Sequence, residues 1–218
     1  MSFRLVENSK IAVIIAHPDD EVLGCGGTIS RLVEMGHQVR VVLAIRRNDD
    51  RGLAEWNNLI SSMHLACKLL GAEAIILEDL MDEQMVEFQL SKLHDKILPY
   101  IEWAEIIFTH FSNDVNQVHR AVSRAVEIGT RPFRRRKEVL LFEVPTSTDQ
   151  GFLQTFSPNI YCVLSEQHVA KKCQALQFYT SEIAIGRDKQ NIIAKLSNRG
   201  AESGVDYAEA FMLARGFL

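Results

Sequence analysis

The strongest constraint on the fold is an alternation of short apolar runs with amphipathic segments over residues 10–144. The apolar runs are rich in β-branched residues and predict strands at 10–16, 38–44, 74–77, 105–110 and 137–144. The segments between them repeat apolar residues at helical spacing and predict helices at 21–36, 53–71, 86–101 and 116–129. Strands that alternate with helices form βα units, which place a mainly parallel sheet between helical layers. The sequence therefore predicts an α/β protein, a three-layer α/β/α Rossmann-like sandwich.

The rhythm changes after Pro145. A strand is predicted at 159–164, a helix at 166–179 and a last amphipathic helix at 206–215. No Pro/Gly/Ser-rich linker divides the 218 residues, a length that suits one sizeable core. We therefore expect a single domain, in which residues 1–145 form the Rossmann-like core and residues 146–218 a C-terminal elaboration that shapes the substrate site.

Composition excludes several classes of partner. The formal net charge of −4 and a single basic cluster, at 134–137, argue against binding to nucleic acid. No apolar run is long enough to form an integral membrane segment, and the first ten residues lack the apolar stretch of a signal peptide. The four cysteines, at 25, 67, 162 and 173, have no paired spacing and predict reduced thiols. We expect a cytoplasmic protein, and the sequence leaves open whether it forms a homo-oligomer.

The stretch IIAHPDDEVLGCGG, residues 14–27, places four titratable groups within five positions, directly after the first strand. Its glycines follow the acids, so it lacks the pattern of a phosphate-binding loop. A catalytic zinc ion takes about three His or carboxylate ligands and keeps one position for water. His17 and Asp20 are spaced to reach one ion, which leaves Asp19 free to act as a general base.

A second constellation lies in THFSNDVNQVHRAVSRAV, residues 109–126. His110 ends a predicted strand, and His119 falls in the first turn of the helix that follows. Ligands of open α/β sheets bind beyond the carboxyl ends of the strands, so both histidines are expected near His17. The same rule selects four candidates for contacting the substrate: Arg46, Arg47, His110 and Glu143.

Three segments carry a resemblance to a known family. AHPDDEVLGCGGTI, NDVNQVHRAVSRAV and the closing RGAESGVDYAEAF (199–211) resemble the motifs of PIG-L/LmbE-like zinc-dependent N-acetylglucosaminyl deacetylases. The resemblance implies one Zn²⁺ per chain, held by His17, Asp20 and His119, with Asp19 as the general base. Another divalent transition metal would also suit these ligands.

The second motif departs from the family pattern at two positions. The family commonly has an Asp directly before the metal histidine, where this chain has Val118, and some members have a histidine where Asn116 stands. Asn116 remains able to donate a hydrogen bond to a developing oxyanion, and is our second candidate catalytic residue. An Asp beside the ligand would orient it, and Asp114 and His110 are the alternatives for that role.

The resemblance implies hydrolysis of the N-acetyl group of an N-acetylglucosamine-type amino-sugar conjugate to a free amine and acetate. The expected partner is therefore a small glycoconjugate. Two alternatives stay open: a zinc amidase acting on a non-sugar substrate, and a non-catalytic relative that binds a metal or a sugar. Val118 favours the last, whereas the intact His17, Asp19 and Asp20 argue against it.

Overall fold

The computed structural model describes residues 7–152 and 155–217, with the side chains at positions 50 and 51 left out. The strands are β1 (Lys10–Ile15), β2 (Gln38–Arg46), β3 (Glu73–Asp82), β4 (Ile106–His110), β5 (Glu138–Phe142), β6 (Ile160–Val163) and β7 (Ala208–Arg215). The helices are α1 (Asp20–Glu34), α2 (Asp50–Leu70), α3 (Leu90–Trp103), α4 (Gln117–Gly129), α5 (Glu166–Leu176) and α6 (Lys189–Ser203).

These strands form one sheet in the order β3-β2-β1-β4-β5-β7-β6, in which β7 runs opposite in direction to the other six described strands. Alternate residues of β1 face opposite sides: Ile11, Val13 and Ile15 pack in one apolar core, and Ala12 and Ile14 in the other. The first core includes residues of α1, α2, α5 and α6, and the second includes residues of α3 and α4. The predicted three-layer sandwich with a mainly parallel sheet is confirmed.

The carboxyl ends of the parallel strands meet at one edge of the sheet. Ile15, Arg46 and His110 are the last residues of β1, β2 and β4, which are neighbours in the sheet or one strand apart. The loops that follow these strands therefore converge above the sheet, as the topology of such folds requires.

The prediction for residues 206–215 is wrong, because this segment is a strand and not an amphipathic helix. Its alanines, Glu209, Met212 and Leu213 have high helix propensity. The position between β5 and β6 overrides that preference, since both backbone edges of β7 find partners there. A helix that the sequence analysis did not predict, α6, precedes this strand.

Helix α1 is interrupted at Cys25, whose φ of −149° and ψ of 23° are not helical. The N–H groups of Gly27 and Thr28, just after the interruption, donate to the Glu209 carboxylate of β7 at 3.0 and 2.6 Å. The Lys172 ammonium donates to the Leu23 carbonyl at 2.8 Å and to Glu209 at 2.5 Å. A buried ion pair thus satisfies the backbone groups that the interruption leaves without helical partners.

The glycines that follow the acids in α1 suit either close packing against the sheet or close approach of a ligand, and Gly24 serves the first. A Cβ atom on Gly24 would lie 2.3 Å from the Phe142 ring, so only glycine allows the helix to approach β5 this closely. The four cysteines are free thiols, as expected. Within residues 7–152 and 155–217, no helix combines the length and apolar character needed to cross a membrane. Residues 1–6, which belong to the ten-residue segment that lacks the apolar stretch of a signal peptide, lie outside the described residues.

Candidate active site

The turn between β1 and α1 holds the HPDDE sequence in an unusual conformation. Asp19, at the N-cap position of α1, has a φ of 120°, which a residue with a side chain rarely adopts. Glu21 accepts a hydrogen bond from the Asp19 N–H at 3.1 Å, and Arg187 donates to the Asp19 carboxylate at 3.1 Å. Contacts of this kind stabilise a backbone conformation that is costly by itself, as is common at functional sites.

Three side chains converge on one point beside this turn. His17 Nδ1 lies 3.3 Å from His119 Nε2, and the Asp20 carboxylate lies 3.6 Å from the first and 3.5 Å from the second. One ligand atom from each of the three residues falls within 4.8 Å of the other two. Two imidazole nitrogens and one carboxylate oxygen are a common catalytic zinc donor set, so these residues fit the expected metal.

The charges of these groups depend strongly on each other. Burial by itself raises the pKa of Asp20, but the nearby histidines His119, His110 and His17 hold it far below its usual range. Burial lowers the pKa of His17, yet the carboxylates of Asp20 and Glu83, each 3.6 Å from one of its ring nitrogens, raise it to about 9. In the metal-free protein His17 is therefore protonated at neutral pH, and metal binding must release that proton.

Asp114 lies behind His119, with its carboxylate 3.3 Å from Nδ1 on the side away from Asp20. The Ser147 and Thr148 hydroxyls and the Asn116 N–H donate to this carboxylate. A carboxylate on the far nitrogen of a ligand histidine orients the ring. Of the two alternatives that the sequence left open, the geometry favours Asp114.

Val118 has an apolar side chain and does not orient the His119 ring. Its side chain is buried beneath α4 in the second apolar core and lines one side of the cavity at the site. An apolar side chain therefore stands here where the sequence resemblance leads one to expect a carboxylate. Asp114 instead lies next to His119 Nδ1.

Asp19 and Asn116 face a cavity of about 400 Å³ next to the three converging side chains. The pKa of Asp19 is raised well above its usual value, mainly by burial and to a smaller extent by the negative charge of Asp20, whereas Arg187 lowers it. The side-chain amide oxygen of Asn116, Oδ1, caps α4 by accepting from the Val118 and His119 N–H groups at 2.8 and 3.4 Å. Its NH₂ group is left to donate to a ligand.

Comparison with known proteins identifies the family to which these features belong. Residues 12–128 match the family model described as PIG-L, GlcNAc-PI de-N-acetylase. This chain belongs to the PIG-L deacetylase family. The resemblance to this family is therefore confirmed, and the matched residues include the first two of the three motifs, whereas 199–211 lies outside them.

Individual relatives of this PIG-L chain differ in their named activities. "Uncharacterized deacetylase YaiS" of Escherichia coli (strain K12) is 27% identical over 178 residues, which cover 78% of this chain and 90% of YaiS. N,N'-diacetylchitobiose deacetylase from Pyrococcus horikoshii has a TM-score of 0.68 at 19% identity, covering 94% of this chain and 83% of its own. GalB, the 4-carboxy-2-hydroxymuconate hydratase from Pseudomonas putida KT2440, has a TM-score of 0.71 at 17% identity, covering 96% and 98%. Because deacetylases and a hydratase share the fold, the reaction must be argued from the site.

Three of the residues that we expected to contact substrate lie outside the cavity of this PIG-L chain. Arg46 is exposed and its guanidinium lies 5.8 Å from the Trp56 ring. His110 is fully buried, accepts from the Ala16 N–H at 3.0 Å and stacks on His119 at 4.0 Å. Glu143 pairs with arginine and lysine side chains of α6 at 2.7 and 2.9 Å. Arg47 does line the cavity.

Sequence reasoning missed four charged residues that line the cavity: Asp49, Glu83, Glu182 and Arg187. Glu83 follows directly after β3, so the rule that ligands bind beyond strand ends would have selected it. The first apolar run ends at residue 77, however, and two acidic residues, Glu78 and Asp79, interrupt the strand before it continues to Asp82. Glu182 and Arg187 come from the C-terminal elaboration and carry no local signal.

Proposed function

We propose that this chain is a metal-dependent deacetylase that hydrolyses the N-acetyl group of an N-acetylglucosamine-type sugar to a free amine and acetate. The observation that carries the proposal is the convergence of His17, Asp20 and His119 with Asp19 left outside the donor set and facing the cavity. The chain's membership of a deacetylase family also supports the proposal.

His17, Asp20 and His119 would hold the metal, for which we propose zinc. The chemistry that a bound zinc supplies is polarisation of a carbonyl oxygen and acidification of a water molecule. Asp19 takes the proton from the attacking water and later delivers it to the nitrogen of the leaving amine. The Asn116 amide donates a hydrogen bond to the oxygen on which negative charge develops. Arg187 holds the Asp19 carboxylate in place at 3.1 Å.

Charges in the cavity bear on the substrate. Among the described residues, the cavity contains two arginines, and both are paired: Arg47 with Asp49 and Glu182 at 2.8 and 3.3 Å, and Arg187 with Asp19. Apart from the proposed metal ion, these pairs leave little positive charge to attract a carboxylate or phosphate group. An uncharged acetamido sugar suits this polar cavity lining. A carboxy compound, such as the one named for the Pseudomonas hydratase, would lie close to several carboxylate side chains that repel it.

The experiment is to measure acetate release by the zinc-loaded protein from N-acetylglucosamine and N,N'-diacetylchitobiose, with N-acetyl-lysine as a non-sugar acetamide. We expect acetate from the sugars, none after treatment with a chelator, and a strong decrease in Asp19→Asn. Acetate from N-acetyl-lysine alone would favour an amidase with a different substrate. No acetate from any N-acetyl sugar at full metal occupancy would contradict the proposal.

A further inference from the structure

Glu83 occupies a fixed position at the edge of the cavity. It begins a short 3₁₀ turn, Glu83–Met85, immediately after β3. One oxygen of its carboxylate, Oε1, accepts hydrogen bonds from the N–H groups of Asn48 and Asp49 at 2.7 and 3.0 Å. These two bonds come from the loop after β2, so the side chain is held by backbone from a different element.

The second oxygen of Glu83 faces His17. Oε2 lies 3.6 Å from His17 Nε2, and both side chains are largely buried, at 16% and 13% exposure. The other ring nitrogen, Nδ1, faces His119 and Asp20 at 3.3 and 3.6 Å. The two nitrogens of His17 therefore have separate surroundings, one among the proposed metal ligands and one against a carboxylate.

An imidazole that binds a metal through Nδ1 carries its proton on Nε2, where an acceptor fixes the tautomer and the ring orientation. His119 shows the mirrored arrangement, with Nε2 towards Asp20 and Nδ1 towards Asp114 at 3.3 Å. Glu83 itself does not belong to the three residues whose ligand atoms lie within 4.8 Å of each other.

We infer that Glu83 is a positioning residue, which orients His17 so that Nδ1 is presented to the metal. This inference rests on the metal site of the proposed function. It assigns to the loop after β3 a part in metal affinity that the family motifs, which lie elsewhere in the chain, do not include.

The test compares Glu83→Gln with Glu87→Gln, which removes the same charge from an exposed position in the same loop. Zinc affinity of the full chain is measured by competition with a fluorescent chelator, and the melting temperature is measured without metal. Loss of an outer carboxylate partner typically weakens metal binding by about 10–100-fold. We expect a loss of that size in Glu83→Gln and wild-type affinity in Glu87→Gln, while cooperative melting of both metal-free variants establishes that each is folded.

A spectroscopic readout separates orientation from general electrostatics. In zinc-loaded wild-type protein, the His17 Nε2–H should give a slowly exchanging imidazole proton resonance, and Glu83→Gln should lose it. Equal zinc affinity in wild type and Glu83→Gln would overturn the inference and leave the deacetylase proposal standing. Failure of the wild-type protein to bind zinc would overturn both. Zinc binding as expected without acetate release would contradict only the deacetylase proposal.

Discussion

The buried ion pair between Lys172 and Glu209 gives a prediction whose size follows from its surroundings. Each side chain is 3% exposed, and Lys172 Nζ lies 2.5 Å from Glu209. In Lys172→Met, the Glu209 carboxylate keeps its two backbone donors but loses its counter-ion, and the Leu23 carbonyl loses its donor. Removing one partner of a buried pair costs about 3–5 kcal/mol of unfolding free energy. For a domain of this length the melting temperature should fall by roughly 6–20 °C.

The assay is thermal and urea unfolding of four metal-free proteins: wild type, Lys172→Met, Glu209→Gln and the double variant. The double variant should lose less stability than the sum of the two single variants, because neither charge is left alone in the interior. The neighbouring Lys171→Met is the control, since Lys171 lies outside the buried pair. If Lys172→Met and Lys171→Met have the same melting temperature, the ion pair does not stabilise the interrupted helix and the reasoning is refuted.

Four further predictions concern the site. Purified protein should bind about one zinc per chain, and His17→Ala should lose most of it by elemental analysis. Asp20→Asn should lose metal, whereas Asp19→Asn should keep the metal and lose turnover about a hundredfold or more, without rescue by added zinc; equal metal loss in both would show the roles are misassigned. Val118→Asp should lower the melting temperature, because the new carboxylate would be buried in the second apolar core, and an unchanged melting curve would contradict that packing. Burial raises the pKa of Glu21 to about 7 in the folded protein, against 4.5 for the free group. As the pH rises from about 4.5 to 7, the metal-free wild type should therefore lose about 3 kcal/mol of unfolding free energy relative to Glu21→Gln. If urea unfolding gives the same difference between the two proteins at every pH, this prediction is wrong.

The parallel half of the fold could be predicted because its signals are local. The run KIAVIIA predicts a strand buried on both faces, and the charged turn after it falls at the edge of the sheet where ligands bind. For the same reason the topology predicts that His110 and His119 lie near His17, since it brings the ends of β1 and β4 together. The resemblance to the family then selects His119 as the third proposed ligand.

The remaining parts depend on contacts between distant segments. Residues 208–215 have helix-forming composition, and only the gap between β5 and β6 makes them a strand. Arg187 reaches Asp19 across 168 positions of sequence. Asp114 was one of two alternatives because no pattern in the sequence reports which carboxylate or ring lies behind His119. Long-range pairing of this kind leaves no periodicity to detect.

The contact between helix α1 and strand β7 also has a consequence for synthesis on the ribosome. Thr28 and Glu209 are 181 positions apart, so at about 5–20 residues per second roughly 10–40 s pass between their additions to the nascent chain. For most of that interval the HPDDE turn has been made but Arg187, which holds Asp19, has not, and Glu209, which caps the second half of the helix, is added only at its end. The contacts that fix the turn are therefore completed only near the end of synthesis, and under the proposed function we expect metal loading to be a late event in biogenesis.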